Sequence, residues 1–371
     1  MSAKHLAEDL HSPVKEANRL LSLDAFRGLT IIAMILVNTP GSWDYVYAPL
    51  LHAEWHGVTP TDYIFPFFIF IVGVSIVLSY KKMLGRGASK GKLIVKTIKR
   101  ATIIFAIGIF LGLFPDFNFS EIRIPGVLQR IALVFLACAL LYLYSNWRQQ
   151  AIIGAVLLLA YWGLMVLVPV PEYGAGVLEP GKNLAAWIDS LYIPGSMWQG
   201  TWDPEGILST IPAIVTGITG MLAGRLFSDE TISLSGKIQL LFVGGFIAFA
   251  LGSAWGWIFP VNKNLWTSSY VMFTAGLAAM TWATLSYFMD VRGQVKWTGP
   301  ALAFGSNAIT AYAIGSMLPS LVQPVNDWYV GAFVQGAGNP KAASLIWAIL
   351  IILLCYIPIF ILYKRRIFIK V

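Results

Sequence analysis

Charge is what this chain has least of. Of its 371 residues only 12% are Asp, Glu, Lys or Arg, about half the share a soluble domain carries. That removes the polar coat a water-soluble enzyme needs. A disordered chain is excluded as well, because 57% of the residues are hydrophobic and 14% aromatic. Cysteine is nearly missing: Cys138 and Cys355 both fall inside apolar runs, so they form no disulfide framework and read as small buried hydrophobes. There is no P-loop, no His-Glu-x-x-His and no cluster with metal-ligand spacing, and no metal is expected. Gly85-Arg-Gly87 lacks both the preceding strand and the spacing of a dinucleotide fingerprint. No internal repeat is evident, so an inverted-repeat transporter is not signalled.

What the chain does have is long apolar runs. Ten are readable, at about 24–40, 62–80, 98–114, 124–144, 150–170, 207–226, 237–258, 266–289, 300–320 and 344–363. A bilayer has no water for unpaired backbone groups, and none of the runs shows the alternation of a barrel strand, so all are expected to be helices. The expected fold is all-α: a polytopic integral membrane protein with about ten transmembrane helices. Residues 1–21 form a polar tail, 22–363 one transmembrane domain, and 364–371 a basic tail. The first tail is too polar for a signal peptide, and its His5 and His11 read as solvated.

Sidedness follows from the loops. Segment 81–100 holds Lys81, Lys82, Arg86, Lys90, Lys92, Lys96, Lys99 and Arg100 and no acid. Basic loops stay in the cytoplasm. Alternating from there through ten spans leaves both termini cytoplasmic, with 21 basic and 7 acidic groups inside against 4 and 11 outside. The net charge of +8 is thus sorted by side rather than gathered for nucleic acid, and no nucleic-acid partner is expected. The cationic loop either holds topology against anionic lipid or meets the phosphates of a cytosolic cofactor. Segments 41–61, 171–205 and 321–343 fall outside. The second, a long periplasmic loop, sets Glu172, Glu179, Asp189, Asp203 and Glu205 beside Trp187, Trp198 and Trp202. This is either an interfacial aromatic belt or a platform for a sugar or cation.

Several polar groups stand where chemistry is possible. Asn38 closes the first span, His52 and His56 occupy the next loop, and Asp62 opens the second span. A histidine there suits removal of a proton from an amine or hydroxyl, and an amide suits a developing oxyanion. Asp62 reads equally as an N-cap. Arg130 is followed by a long apolar run, where an unpaired charge is costly. It is a site candidate or one half of a buried ion pair. Asp203 and Glu205 mark a helix start, Asn262 to Tyr270 form a polar approach to the eighth span, and Asn307 lies inside the ninth.

Taken together these motifs resemble a known family. Leu23-Asp-Ala-Phe-Arg-Gly28 leads to Val37-Asn38; Trp55-His-Gly57 and Asp62 precede Phe65-Pro66-Phe67 and Phe70-Ile-Val-Gly73. Arg123-Ile-Pro-Gly-Val-Leu-Gln-Arg130, Asp203-Pro-Glu-Gly206 and Asn264-Leu-Trp266 follow. Spread over roughly 22–320, they resemble the transmembrane acyltransferase family of heparan-α-glucosaminide N-acetyltransferase and its bacterial inner-membrane relatives. The resemblance implies acetyl transfer from cytosolic acetyl-CoA, as co-substrate, to an amino-sugar or glycan acceptor on the far side, by a homodimer. It implies that His52 is the family's essential histidine and Asn38 its asparagine; the residues themselves suggest His52 as base, Asn38 as oxyanion partner and Asp62 as the group orienting His52, with transfer through an acetyl-His intermediate equally open. Arg27, Arg130, Lys99, Arg100 and Asn307 are then candidates for holding the cofactor or lining its passage. Trp55, Asp203, Glu205, Asn264 and Trp266 are candidates for the acceptor cup. Two rival readings stay open: an amino-sugar or N-acetylglucosamine permease, which needs no external base, and an O-acetyltransferase acting on an envelope polysaccharide.

Overall fold

The computed structural model describes residues 20–336 and 338–369. Most of the expected amino-terminal tail, with His5 and His11, and Lys370 of the basic tail lie outside these residues. The described residues are helical, and the three backbone bridges among them are isolated pairs.

In chain order the helices are α1 (Leu21–Asn38), α2 (Ile64–Gly85), α3 (Lys90–Leu113), α4 (Val127–Tyr144), α5 (Trp147–Leu167) and the short α6 (Leu184–Tyr192). They continue as α7 (Ile207–Ser228), α8 (Leu234–Trp255), α9 (Ser268–Ser286), α10 (Gly299–Ser306), α11 (Ala308–Leu321), α12 (Gln323–Tyr329) and α13 (Pro340–Lys364). Eight are long and apolar enough to cross a membrane: α1, α2, α4, α5, α7, α8, α9 and α13. The expected span 300–320 is two helices, α10 and α11, bent by 93° at Asn307 and equivalent together to a ninth. The expected span 98–114 lies in α3. That helix matches the others in length, but Lys90, Lys92, Lys96, Lys99 and Arg100 sit in its first half, and it is not among those apolar enough by composition.

Several helix starts have a side-chain cap. Ser89, Asn146, Ser233, Thr267 and Asn339 each accept a hydrogen bond from a first-turn N–H, satisfying groups with no helical partner. Close helix contact comes from glycine. A Cβ at Gly73 would overlap the Gly217 carbonyl, and one at Gly220 the Phe70 carbonyl, so α2 and α7 touch backbone to backbone. Gly28 meets Ala301 and Gly305 meets Asp24 in the same way, locking α10 against α1. In lipid, where apolar burial gives little gain, such contacts are what bind helices together.

The inter-helix segments sort to two ends. At one end Gly41 N–H bonds to Ser344, Trp55 reaches Leu178, Gly57 pairs with Asn262, and Arg123 meets Asp203. At the other, Lys81 meets Ser228, Arg225 donates to the Ser145 carbonyl, and Asn307 grips the carboxy-terminal segment through Ile367 and Ile369. These are called here the His52 end and the tail end. The alternation matches the loop sorting read from the sequence.

Candidate active site

The site is built on the loop between α1 and α2. Its last turn, Pro60–Tyr63, is a 3-10 helix closed by a capping box between Thr59 and Asp62. Asp62 is buried, with 1% of its side chain accessible. One carboxylate oxygen accepts from the backbone N–H of Ala53 at 3.0 Å and of Thr59 at 2.9 Å, and from the Thr59 hydroxyl at 3.2 Å. The other lies 2.7 Å from Nδ1 of His52. A carboxylate only accepts, so Nδ1 donates and the lone pair of the neutral ring is on Nε2. The N-cap of this turn is Thr59, and Asp62 is the third residue of its capping box rather than the cap itself; its second oxygen contacts His52, as the other reading requires. His52 itself is 47% exposed. Half of the ring is therefore open to a substrate.

Lys263, which sequence reasoning passed over, completes the cluster. Its Nζ is 3.0 Å from Nδ1 and 3.1 Å from Nε2 of His52, and 3.8 Å from an Asp62 oxygen. Nearly equal distances to both ring nitrogens put the ammonium across the ring rather than on one lone pair. Burial lowers the pKa of Lys263, while the charges of Asp62 and Glu205 oppose that and Arg130 adds to it. A signal existed: Lys263 is one of the four basic residues in the outer segments, and it lies between Asn262 and Asn264 in the polar approach to α9.

The surroundings fix these groups. Asn262 donates to Nδ1 of His56 at 3.3 Å and accepts from Leu265 N–H at 2.9 Å. Partial burial lowers the pKa of His56, which favours the neutral ring that accepts this bond. Trp55 donates to the Leu178 carbonyl at 2.8 Å and meets Trp202 edge to face at 5.0 Å, joining the His52 loop to the long outer segment. Beneath, the Tyr270 hydroxyl donates to the Asp62 carbonyl at 2.6 Å, and Trp266 donates to Thr216.

Other expected residues are placed differently. Trp266 is 1% exposed, packed edge to face on Phe65 and Tyr270; it is a floor beneath the site, not a wall of a cup. Asp203 has a fully enclosed side chain, and both its oxygens are taken by Arg123 at 2.7 Å and by backbone N–H groups of Trp198 and Glu205. Glu205 joins Arg123 at 2.6 Å. Two adjacent carboxylates need a shared cation, and this cluster satisfies them internally. Of the expected cup, Trp55, Asn264 and Glu205 remain partly accessible, and Glu205 is engaged by Arg123.

Arg130 is also enclosed, 1% exposed, near the His52 end. It donates to the Gly206 carbonyl and the Ser209 hydroxyl, and its guanidinium stacks 5.1 Å over Trp266. Its Nε and Nη1 have no hydrogen-bond partner among the described residues. Arg27, towards the tail end of α1, is tied to Asp24, Ser75 and the Gly305 carbonyl. Lys99 and Arg100 on α3 are exposed, with Arg100 4.9 Å over the Phe135 ring. Asn307 spends its amide on the carboxy-terminal segment. Asn38 ends α1 with an exposed side chain that makes no hydrogen bond among the described residues. No group of three or more His, Cys, Asp or Glu arranged to hold a metal occurs among the described residues.

The family model described as "Heparan-alpha-glucosaminide N-acetyltransferase, catalytic" matches residues 19–230. The chain belongs to this family. Two relatives carry that enzyme's name. The Mus musculus protein is 30% identical over 414 residues, covering 96% of this chain and 61% of its own length. The Homo sapiens protein is 33% identical over 357 residues, covering 79% of this chain and 52% of its own length. The chain therefore spans a little over half the length of these family members. The family match covers the His52 loop, Asp62, Arg123, Arg130, Asp203 and Glu205, and it ends before Lys263.

Proposed function

We propose that the chain transfers an acetyl group across the bilayer, from acetyl-CoA taken up at the tail end to the amine of a glucosamine-type acceptor at the His52 end. In this reading it is a homodimeric, multi-pass protein of a bacterial inner membrane, with the tail end cytoplasmic. The observation that carries the reading is the His52–Asp62 pair in a half-open site, within the span matched by the family.

Acetyl-CoA supplies an activated acyl carbon; everything else is done by this chain. Asp62 fixes the tautomer of His52 and aims Nε2 at the open side, where it removes a proton from the acceptor amine. Asn38 offers an unengaged amide N–H to the oxyanion that forms. Trp55 and Asn264 offer an aromatic face and an amide to the acceptor. Lys99 and Arg100 fit a polyanion: both are exposed, and neither is held by a carboxylate among the described residues. Arg27, tied to Asp24, Ser75 and the Gly305 carbonyl, braces α1 against α2 and α10.

The test is acetyl transfer by detergent-purified protein to a panel of amine and hydroxyl acceptors. Acetylated amino sugar is expected, with His52→Ala slower by about 100-fold or more and thermal stabilisation by CoA. Acetylation of hydroxyls alone would make the protein an O-acetyltransferase. Amino-sugar uptake into vesicles without acetyl-CoA, unchanged by His52→Ala, would make it a permease.

A further inference from the structure

The reaction above gives no task to Lys263, although its ammonium stands 3.0 and 3.1 Å from the two ring nitrogens of His52. We propose that Lys263 is a positioning residue that holds the His52 ring in place and opposes a second positive charge beside its own. This inference rests on the reading of His52 as proton acceptor.

The charges facing His52 come from several elements. Asp62, on its own loop, is the carboxylate it touches, and Tyr63 follows next in sequence. His56 stands on the far side of Asn262. Tyr270 of α9 is bonded to the backbone of Asp62. Arg130 of α4 and Glu205 act on Lys263 through space, but Glu205 is already paired with Arg123. Among the described residues Asp62 is therefore the one anion within contact distance of the pair, and Lys263 and His52 share it. A proton on His52 would set two positive charges about 3 Å apart over a single carboxylate.

The backbone holds Lys263 there. Gly57 N–H bonds to the Val261 carbonyl at 2.8 Å, and Asn262 N–H to the Thr267 hydroxyl at 3.0 Å. Trp266, at the end of the same turn, has a φ of 52°, a strained conformation for a bulky residue. Strain of this kind persists only where the surroundings over-determine it, and here the buried Trp266 ring does so. The turn thus presents Lys263 to the His52 loop at a fixed height.

The proton balance follows. When the acceptor amine loses its N–H bond, a new N–H forms at Nε2 and a positive charge appears beside Lys263. Repulsion then favours passing that proton to the leaving thiolate, which restores the neutral ring.

The experiment compares wild type with Lys263→Met and Lys263→Arg, reading kcat/KM for acetyl transfer against pH. In Lys263→Met the acid limb is expected to move up by about one pH unit, the repulsion of two unit charges at this spacing in a water-like dielectric. Lys263→Arg keeps the charge and the wild-type limb. A second readout needs neither substrate: carbethoxylation of His52 by diethyl pyrocarbonate, which attacks only the neutral ring, followed by peptide mass spectrometry across pH. The same displacement is expected there, and Lys263→Gln serves if the Met variant does not fold. Unmoved profiles in a folded, charge-free variant would overturn the proposal. A carbethoxylation shift in a protein that transfers no acetyl group supports the Lys263–His52 coupling and overturns only the acetyl-transfer reading.

Discussion

Replacing Asp62 with Asn tests the site at its most determined point. The side chain keeps its shape but loses its charge, and one oxygen becomes an NH2. Three donors converge on one oxygen of Asp62, the N–H groups of Ala53 and Thr59 and the Thr59 hydroxyl, and a single donor, Nδ1 of His52, meets the other. The amide oxygen will therefore stay with the three and the NH2 will face His52. Nδ1 must then accept, which moves the ring proton to Nε2 and blocks the atom assigned as base. Loss of one hydrogen bond to a charged group costs about 1.5–3 kcal/mol of stability. A base in the wrong tautomer costs far more in rate, about 10²–10⁴-fold. Acetyl-transfer kinetics, with nitrogen NMR of labelled histidine to read the tautomer, separate the two effects. An Asp62→Asn protein that works within about threefold of wild type, at rates set by general-base catalysis, or that keeps its proton on Nδ1, would refute the reasoning.

Two further outcomes concern stability. Asp189 is buried in α6 and accepts from Ile207 N–H at 2.8 Å, capping α7; burial raises its pKa to about 7, against the pull of that bond and of Arg130. The folded state thus holds a proton that the unfolded chain, with a usual Asp value near 3.9, releases earlier. Stability should fall as pH rises from about 4 to 7, by at most ~4 kcal/mol, and Asp189→Asn should flatten that slope in thermal unfolding scans. Arg123→Ala strands Asp203 and Glu205, whose side chains are 0% and 8% exposed. Breaking a buried pair costs about 3–5 kcal/mol, and the 26% exposure of Arg123 brings the expected loss towards the lower bound; an unchanged melting temperature would contradict the ion-pair assignment.

Much of this was legible in the sequence, for physical reasons. Apolar runs announce spans because lipid forces every backbone group into a helix, and nine of the ten expected runs correspond to membrane-compatible helices or to the bent pair. Loop charge announced which segments share an end. The His52–Asp62 pairing was readable because a ten-residue loop joins them. The rest depended on long-range contacts that no local pattern encodes. Asp203 and Glu205 resembled a cup until Arg123, 80 residues earlier, was seen to bind them. Trp266 read as part of the acceptor cup, whereas its ring lies enclosed under Arg130. Asn307 read as a passage residue inside a straight span; the corner there depends on the carboxy-terminal segment, some 60 residues away. Lys263 carried only the signal of a rare base in an outer, polar turn, and its place beside His52, 211 residues earlier, is a long-range contact.

The corner between α10 and α11 has its own implication. Hydrocarbon cannot solvate a bare peptide group, and a 93° turn interrupts the helical ladder that would otherwise conceal several of them. The Asn307 amide and the chain at Ile367 to Ile369 replace part of what is lost. Lipid is therefore an unsuitable neighbour for that corner, and its surroundings must be protein or water.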